Sequence, residues 1–386
     1  MQTSLTIDEL LKILVSFNTI SALSNIEMID FIKDYINGYG IDTNIEFNPD
    51  GSKADLIATF GPKIKGGIII SGHTDVVPVQ GQNWDSDPFT LVNKNDRLYG
   101  RGTCDMKGFL AVALSHVPSL SKKKLKVPVH FVFSYDEEIG CLGAPGLVKR
   151  LCASVPKPSM AIIGEPTNMT LVNAHKGISL FETSIRGRPA HSSQTHMGVN
   201  AIDCASKCIQ FLSEIAKDLK VNENVDERFE PPYSTISVGL INGGSAINII
   251  PEECKFSWEC RDISGLDSGW VLSNFEEFCS QKLLPEMRIV APEADIKTIN
   301  KVMAPPLVTT ENNPAESLIK KLSGQNKVDV VAYAAEAGIF QNAKIPAIIF
   351  GPGSINQAHR PNEYITISQL KKCDEFFDKL IDWASH

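Results

Sequence analysis

Short apolar segments recur along the chain and alternate with stretches of helical periodicity. Four of these segments are continuous apolar runs, at residues 67–70, 127–133, 160–163 and 347–350. Continuous runs of this length are typical of strands that are buried on both faces of an α/β sheet. Between the runs, apolar residues repeat with helical spacing at 7–17, 106–120 and 144–151. The pattern therefore predicts an α/β fold with a largely parallel central sheet and helices on both of its faces.

The middle of the chain has the alternating pattern of half-exposed strands. In one segment the apolar side chains occupy every second position, at Cys254, Phe256, Trp258 and Cys260. Two further strands of this kind are predicted at 178–186 and 234–240. Alternation of this kind predicts an antiparallel sheet with one face against a core and the other face in water.

Helices and a last strand complete this middle region. Helices are predicted at 199–219 and 266–281, and a fourth strand at 287–290. The resulting order, β-α-β-β-α-β, is that of a ferredoxin-like α+β domain. We therefore expect an inserted domain at 178–291 within a larger domain formed by residues 1–177 and 292–386.

Composition and charge are those of a globular protein and exclude several classes of function. The chain has 386 residues, of which 43% are hydrophobic and 21% charged, with a formal net charge of −8. Scattered basic residues argue against a nucleic-acid surface, and no apolar run reaches the roughly 18 residues of a membrane span. The first residues include acids where a secretory signal has basic charge. Nine cysteines without a CxxC pair favour reduced thiols and a cytoplasmic location. The scattered charge makes a small molecule the better class of partner.

Acidic and histidine residues follow each of the four buried strands. In strand order the groups are His73 with Asp75, Glu137 with Glu138, Glu165, and His359 one loop further on. Because the carboxyl ends of parallel strands meet at one edge of a sheet, we expect these side chains to lie close together. Asp105 joins them, since it lies in a glycine-rich segment directly before the predicted helix at 106–120.

Two imidazoles and several carboxylates at one edge match the ligand chemistry of a dinuclear zinc centre. One shared carboxylate, with one histidine and one further carboxylate on each ion, supplies three protein ligands per ion. Neighbouring residues of an extended segment point apart, so one of Glu137 and Glu138 can bind metal while the other takes a proton from water. Taken alone, an acidic loop is more often a solvated turn. Its place beyond a buried strand, in line with the other groups, favours a site.

Several segments of the chain resemble the motifs of one enzyme family. They are SGHTDVVPV, WDSDPF, LYGRGTCDMKG, DEEIGCLGA, IIGEPT, HKG, AHSS and GPGSINQAHRPNEY, in the family's order and approximate spacing. The family is that of the dinuclear zinc amidohydrolases, which includes succinyl-diaminopimelate desuccinylase, aminoacylase and the glutamate carboxypeptidases. The resemblance implies a zinc-peptidase-like catalytic domain and an inserted lid domain that forms a homodimer. It also implies two zinc ions per chain, for which cobalt can substitute.

The resemblance assigns the metal ligands and the general base. It implies that His73 and Glu165 bind one zinc ion, that Glu138 and His359 bind the other, and that Asp105 bridges the two. It makes Glu137 the general base that activates water. Asp75, whose spacing already suits a carboxylate that orients the imidazole two positions before it, is expected to steady His73.

The resemblance also implies contacts with the substrate. His191, in AHSS, is expected to reach the active site of the partner subunit and to stabilise the tetrahedral oxyanion. Asn248 and Arg261 match the positions that hold the substrate carboxylate, and Gly353 lies in the loop before the last zinc histidine. Glu336, in YAAEAG, is a candidate partner for a substrate ammonium. From the residues alone, His191 and Arg261 are ordinary solvated side chains.

The expected reaction is hydrolysis of the amide bond of an N-acyl amino acid. N2-acetyl-L-ornithine is the expected substrate, in arginine synthesis. The alternative is a sibling hydrolase with the same zinc site, such as a succinyl-diaminopimelate desuccinylase, an N-acyl amino acid amidohydrolase or a metallo-carboxypeptidase. A binding protein without catalysis is disfavoured, because so many carboxylates at one edge raise one another's cost of ionisation when no metal is bound.

Overall fold

The computed structural model of the protein describes residues 4–222, 225–263 and 268–386. The chain forms two compact units. The first unit comprises Met1–His175, Leu307–Val330 and Ala335–His386, and the second comprises Lys176–Pro306 and Val331–Ala334. The first unit is therefore built from both ends of the chain, and the second unit is inserted into it.

The helices and strands of the described residues follow one another in chain order. The helices are α1 (Ile7–Ser16), α2 (Ile26–Asn37), α3 (Lys107–Ser115), α4 (Val117–Lys122), α5 (Ala144–Ser154), α6 (Ala201–Asn222), α7 (Ser268–Phe278), α8 (Leu284–Val290), α9 (Pro314–Ser323), α10 (Ala337–Asn342) and α11 (Ile367–Ser385). The strands are β1 (Thr43–Phe47), β2 (Ala54–Phe60), β3 (Ile68–His73), β4 (Val92–Lys94), β5 (Arg97–Tyr99), β6 (Val129–Ser134), β7 (Met160–Ile163), β8 (Leu171–His175), β9 (Ile178–Arg186), β10 (Thr235–Gly243), β11 (Glu253–Arg261), β12 (Asp295–Ala304), β13 (Val328–Val331), β14 (Ala347–Ile349) and β15 (Tyr364–Thr366). Among the described helices, none has the length and apolar character that a membrane span requires.

An eight-stranded mixed sheet forms the centre of the first unit, in the order β1-β2-β6-β3-β7-β14-β8-β13. Its four central strands, β6, β3, β7 and β14, are parallel, which confirms the prediction from the four continuous apolar runs. Every residue of β3, β6 and β7 is buried, because helices such as α3, α5 and α9 pack against the sheet. The carboxyl ends of the four strands therefore lie at one edge, where the predicted ligands follow them.

Helix α3 connects the core of the first unit to this edge. Residues 107–114 are all buried, since α3 packs against β3, α1 and α11. Helix α1 begins with a capping box in which Thr6 and Glu9 bond each other's backbone amides, and it buries Leu10 and Leu14. Because Asp105 lies two residues before α3, the packing of this helix also fixes the backbone next to Asp105.

The second unit contains a four-stranded antiparallel sheet in the order β10-β11-β9-β12. The chain runs β9-α6-β10-β11-α7-α8-β12, which confirms the predicted ferredoxin-like arrangement. The alternation predicted in β11 is also confirmed, because Cys254, Phe256, Trp258 and Cys260 are buried. Trp258 stacks on Phe181 of the neighbouring β9 with 4.2 Å between ring centroids.

The predicted fourth strand at 287–290 is wrong. These residues belong to α8, which has a proline in its first turn, buries Met287 and leaves Ile289 84% exposed. The fourth strand is β12, whose polar residues, among them Lys297 and Lys301, hide its alternation in the sequence. The second unit consequently extends to Pro306, beyond the expected domain end at residue 291. The predicted start of the preceding helix, at residue 266, lies outside the described residues.

Candidate metal centre and active site

The side chains that follow the four parallel strands meet at the edge of the central sheet of the first unit. His73 is the last residue of β3, Glu138 follows β6, Glu165 follows β7, and His359 lies in the loop after β14. Asp105 lies just before α3. The structure therefore brings together all five residues that were predicted as metal ligands.

Asp105 lies between the two histidines. Its Oδ1 is 3.1 Å from Nε2 of His73, and its Oδ2 is 3.4 Å from Nε2 of His359. Nε2 of His73 is also 3.6 Å from Oε1 of Glu165, and Nε2 of His359 is 3.0 Å from Oε2 of Glu138. Each imidazole thus lies next to a different oxygen of Asp105 and next to one further carboxylate. This is the arrangement that a bridging carboxylate and two flanking ligand pairs would have.

The three glutamates of the centre are hard to ionise where they lie. Burial raises the pKa of Glu138 to about 7, and the neighbouring charge of Asp105 adds to the effect. Burial likewise raises the pKa of Glu137 and of Glu165 well above the usual range for a glutamate. Cations bound among these carboxylates would remove that penalty, because an opposite charge within a few ångströms favours the ionised form.

Asp105 and the histidines balance part of this charge. Burial alone would raise the pKa of Asp105, but hydrogen bonds from His359 and His73 hold it below its usual range. Hydrogen bonds to Asp105 and Glu138 raise the pKa of His359 to about 10. Burial alone would lower the pKa of His73, but hydrogen bonds to Asp105 and Asp75 raise it well above the usual range for a histidine.

Two buried carboxylate oxygens in the centre fit a metal. Within the described residues, Oε1 of Glu138 and Oε1 of Glu165 have no hydrogen-bond donor. Buried polar atoms are almost always paired, so an unpaired oxygen in a native site requires an explanation such as an ion. Ligand atoms of His73, Asp105 and Glu138 lie within 4.8 Å of one another, and so do those of His73, Glu137 and Glu165. The donor set of imidazole nitrogen and carboxylate oxygen suits zinc and related divalent ions.

Asp75 supports the centre in a way that the sequence only partly indicated. Nδ1 of His73 is 2.9 Å from the backbone oxygen of Asp75 and 3.6 Å from its carboxylate. The carboxylate itself accepts hydrogen bonds from the backbone amides of Glu137 and Glu138, at 3.1 and 3.2 Å, and from the hydroxyl of Ser21 at 2.7 Å. Asp75 therefore orients the acidic pair as well as the imidazole.

Lys53 is a neighbour of the site that the sequence did not reveal. Its buried ammonium pairs with the carboxylate of Asp136 and also donates to the backbone oxygen of Ser21. Asp136 has a φ of 57°, in the left-handed region that residues other than glycine rarely adopt. The ion pair holds this turn directly before Glu137. Lys53 lies far from Asp136 in the chain, so no local pattern could have indicated the pair.

Glu336 and Gly353 were expected to contact substrate, and both are enclosed in the first unit. Glu336 is 1% exposed, and its carboxylate accepts hydrogen bonds from the hydroxyls of Ser134 and Ser71. Glu336 therefore lies beside β3 and β6, which carry these two serines. Gly353 has a φ of 87°, and a Cβ there would lie 2.6 Å from Sγ of Cys104. Glycine is therefore required for the loop to pass beside the segment that carries Asp105.

His191 and Asn248 lie side by side in the second unit. The amide of Ser192 donates to the backbone oxygen of Asn248 at 3.0 Å, and His191 forms an antiparallel bridge with Ile249. The amide of Ser193 donates to Nδ1 of His191 at 3.2 Å. Since Nδ1 is an acceptor in that bond, the neutral imidazole has its proton on Nε2. His191 is exposed and can donate this proton outward.

Arg261 lies at the opposite end of the same sheet. The pairing of His191 with residue 249 lies beyond Glu253, the first residue of β11, whereas Arg261 is the last residue of that strand. Strand β11 has nine residues at about 3.3 Å each, so its first residue, Glu253, and its last, Arg261, are more than about 20 Å apart. The guanidinium pairs with Glu259 at 3.2 Å. Asn248 and Arg261, which were expected to hold one substrate carboxylate together, are therefore far apart within a single chain.

The sequence matches the Peptidase family M20/M25/M40 over residues 69–383. It is 33% identical to an acetylornithine deacetylase of Proteus mirabilis over 381 residues, which cover 97% of this chain and 95% of that protein. It is also 33% identical over 380 residues to an acetylornithine deacetylase of Buchnera aphidicola, with 97% of both chains covered.

Solved structures of the same fold include an M20 family metallo-carboxypeptidase of Sulfolobus solfataricus, with a TM-score of 0.76, 20% identity, and 97% of this chain and 98% of that chain covered. A second is the YXEP protein of Bacillus subtilis, described as a dinuclear metal binding peptidase from the M20 family. Its TM-score is 0.65 at 16% identity, with 97% of this chain and 96% of that chain covered. The match over most of the chain and the nearly full-length relatives lead to one conclusion: this protein belongs to the Peptidase family M20/M25/M40.

Proposed function

We propose that the protein is a metal-dependent hydrolase that cleaves N2-acetyl-L-ornithine to L-ornithine and acetate, in arginine synthesis. The observation that carries this proposal is the contact of Asp105 with both His73 and His359, one through each carboxylate oxygen. A dinuclear centre at this position supplies Lewis acidity, which lowers the pKa of water and polarises an amide carbonyl. The choice of substrate is supported by the 33% identity to acetylornithine deacetylases over nearly the whole chain.

Distances in the first unit support the proposed ligand pairs. We assign His73 with Glu165 to one zinc ion and His359 with Glu138 to the other, because each imidazole lies nearest to that glutamate apart from the shared Asp105. The unpaired oxygens of Glu138 and Glu165 are then ligand atoms. Cobalt prefers the same nitrogen and oxygen donors and can substitute for zinc.

Metal analysis tests this assignment independently of activity. Purified protein incubated with zinc is expected to retain two ions per chain after gel filtration. Zinc at a hundredfold excess over its dissociation constant should raise the free energy of unfolding by about 2.7 kcal/mol per site, since only the folded state offers the site. Asp374→Asn removes a carboxylate on α11 that forms a hydrogen bond with His116 and should keep both ions, so it is the matched control. If the His359→Ala variant still retained both ions, the assignment would be contradicted.

Glu137 is the proposed general base. Burial raises its pKa well above the usual range for a glutamate, which makes the carboxylate a stronger base. The hydrogen bond that its backbone amide donates to the carboxylate of Asp75 fixes its backbone beside the ligands. Glu137 takes a proton from the attacking water and later delivers it to the nitrogen of the leaving amine. The group takes up one proton and gives up one proton in each turnover, so it returns to its ionised form.

His191 is the proposed donor to the oxyanion. Its Nδ1 accepts a hydrogen bond from the amide of Ser193, which leaves Nε2–H free to donate to the tetrahedral oxygen. We infer that His191 of the partner subunit serves each metal centre. The separation of Asn248 from Arg261 within one chain supports this inference, because both can meet one substrate only if two copies contribute.

A homodimer through the second unit is part of this proposal. Strand β10 is at the edge of its sheet, and Leu240 and Ile241 on it are 71% and 56% exposed. Ile247, in the loop that follows, is fully exposed. An apolar edge strand with free backbone groups is suited to pairing with the same strand of a second copy across a two-fold axis. The nine free cysteines are the basis for a proposed cytoplasmic location.

A panel of substrates tests the proposed specificity. N-acetylornithine should be hydrolysed with a higher kcat/KM than N-acetylnorvaline, the analogue that lacks the distal ammonium, and than N-succinyl-diaminopimelate, N-acetylmethionine or a dipeptide. The reason is a charge-assisted contact of the substrate carboxylate with Arg261 and of its ammonium with an acidic group. Preference for one of the other compounds would move the protein to a sibling hydrolase.

The role of Glu336 in reading the ammonium stays a prediction, and the same panel tests it. Glu336→Gln should reduce the preference for acetylornithine over acetylnorvaline if the carboxylate reads the ammonium. Equal losses on both substrates would instead reflect its bonds to Ser71 and Ser134, which join β3 to β6.

A further inference from the structure

Glu363 is a buried residue whose carboxylate is enclosed by the segment that carries Asp105. It lies four residues after His359 and directly before β15, and it is 1% exposed. The backbone amide of Gly100 donates to its carbonyl oxygen at 3.0 Å, which continues the pairing of β15 with β5. Neither the proposed ligand set nor the proposed base includes Glu363.

The carboxylate of Glu363 accepts four hydrogen bonds from residues 101–105. Oε1 accepts from the backbone amides of Cys104 and Asp105, at 2.8 and 3.1 Å. Oε2 accepts from the amide of Gly102 at 3.0 Å and from Nη1 of Arg101 at 2.7 Å. Three backbone amides of this segment point to one carboxylate, so the backbone of Asp105 cannot rotate without breaking its hydrogen bond to Glu363.

Arg101 extends this contact towards His359. Its guanidinium is 1% exposed and lies over the ring of Trp84, with 5.1 Å from Cζ to the centroid. Nη2 donates to Oε1 of Gln82 at 2.6 Å, and Nη1 donates to the backbone oxygen of Arg360 at 3.3 Å. Nε2 of Gln82 in turn donates to the backbone oxygen of His359 at 2.9 Å. A continuous chain of hydrogen bonds therefore joins the backbone of Asp105 to the backbone of His359.

His359 needs such support because of its backbone. Its φ is 62°, in the left-handed region that a residue with a Cβ rarely adopts. Its side chain is 55% exposed, so packing contributes little to its orientation. The hydrogen bond from Gln82 to the carbonyl of His359 holds the backbone from which the imidazole extends towards Asp105 and Glu138.

We propose that Glu363, Arg101 and Gln82 form a positioning network that sets the separation of Asp105 and His359 and thereby the affinity of the ion that these two residues share with Glu138. The network contacts only the backbones of the two ligands, so it acts through their placement. Groups that orient metal ligands in this way typically change metal affinity by about 10 to 100-fold when removed. The inference rests on the proposed dinuclear function.

Titration of metal-free protein with Co²⁺, followed by visible absorption and calorimetry, tests the network without any turnover. The variants are Glu363→Gln, in which an NH2 group replaces one carboxylate oxygen and opposes the two donors of that oxygen, and Gln82→Ala. We expect wild-type protein to bind two ions and each variant to bind one ion normally and the second about tenfold or more weakly. kcat should recover at high metal concentration with KM unchanged. Gln82 is half-buried, so its variant remains informative if Glu363→Gln does not fold.

Glu316→Gln is the matched control. Glu316 also accepts two hydrogen bonds in the first unit, from Asn173 and Lys320, but it does not contact a proposed ligand. This variant should bind both Co²⁺ ions as the wild type does. Folded network variants with two wild-type affinities would overturn the positioning role, and so would equal weakening of both ions. Wild-type protein that binds fewer than two Co²⁺ ions would instead contradict the proposed function itself.

Discussion

Glu137→Gln is expected to lower kcat by about two to four powers of ten, which is the usual contribution of general acid and base catalysis. Glutamine keeps the size of the side chain and its capacity for hydrogen bonds, but it cannot accept the proton from water. Zinc content should remain near two ions per chain, and KM should change little, because the variant loses an interaction made in the transition state. Metal analysis and steady-state kinetics on the same preparation measure both quantities.

The neighbouring Glu138→Gln is the control for this prediction. Glu138 faces His359 at 3.0 Å and has an unpaired oxygen, so the variant should weaken one zinc ion and regain part of its activity at high metal concentration. The distances alone do not separate the two roles, because Glu137 also has a ligand atom within 4.8 Å of His73 and Glu165. If the Glu137→Gln variant loses metal and the Glu138→Gln variant loses only kcat, the roles of the two residues are exchanged. If both variants lose only metal, another group is the base, and Asp136 is the nearest candidate.

His191→Ala should lower kcat on the order of a hundredfold or more, the usual effect of removing one donor to an oxyanion. The metal content of this variant should equal that of the wild type, since His191 lies in the second unit and the ligands lie in the first. Mixing the inactive Glu137→Gln and His191→Ala proteins should restore activity if each site uses both chains. Equal amounts that exchange subunits at random should recover about one quarter of the wild-type sites.

A second mixture controls for effects of subunit exchange itself. Glu137→Gln mixed with Glu138→Gln should regain nothing, because both changes lie in the first unit and each centre keeps one of them. Exchange is followed by mass spectrometry of differently labelled chains. If the Glu137 and His191 variants form mixed dimers but activity does not recover, His191 serves the centre of its own chain or has no catalytic role.

The local patterns of the sequence were sufficient for the four parallel strands at the centre of the eight-stranded sheet. Strand β7 coincides with the predicted run at 160–163, since a strand buried on both faces has no polar position to interrupt it. The alternation in β11 was equally informative because only one face of that strand is buried. Strand β12 was missed because both of its faces carry polar residues, whereas the short apolar stretch before it supplies the buried side of α8.

The sequence by itself determined which kinds of side chain reach the centre. Position after a buried parallel strand is a local property, so His73, Glu138 and Glu165 could be found from the runs before them. The chemical character of the centre follows from these residue types, since imidazole and carboxylate at one sheet edge suit a divalent metal.

Only the tertiary structure decided how these side chains are held. The amides that Asp75 binds, the pair of Lys53 with Asp136, and the link from Glu363 to Gln82 join residues that are distant in the chain. No periodicity records such contacts, because a hydrogen bond depends on where two backbones come to lie after the helices and the sheet have packed. The burial of Glu336 and the distance between Asn248 and Arg261 have the same origin: a residue's type fixes its chemistry, whereas packing fixes what that chemistry can reach.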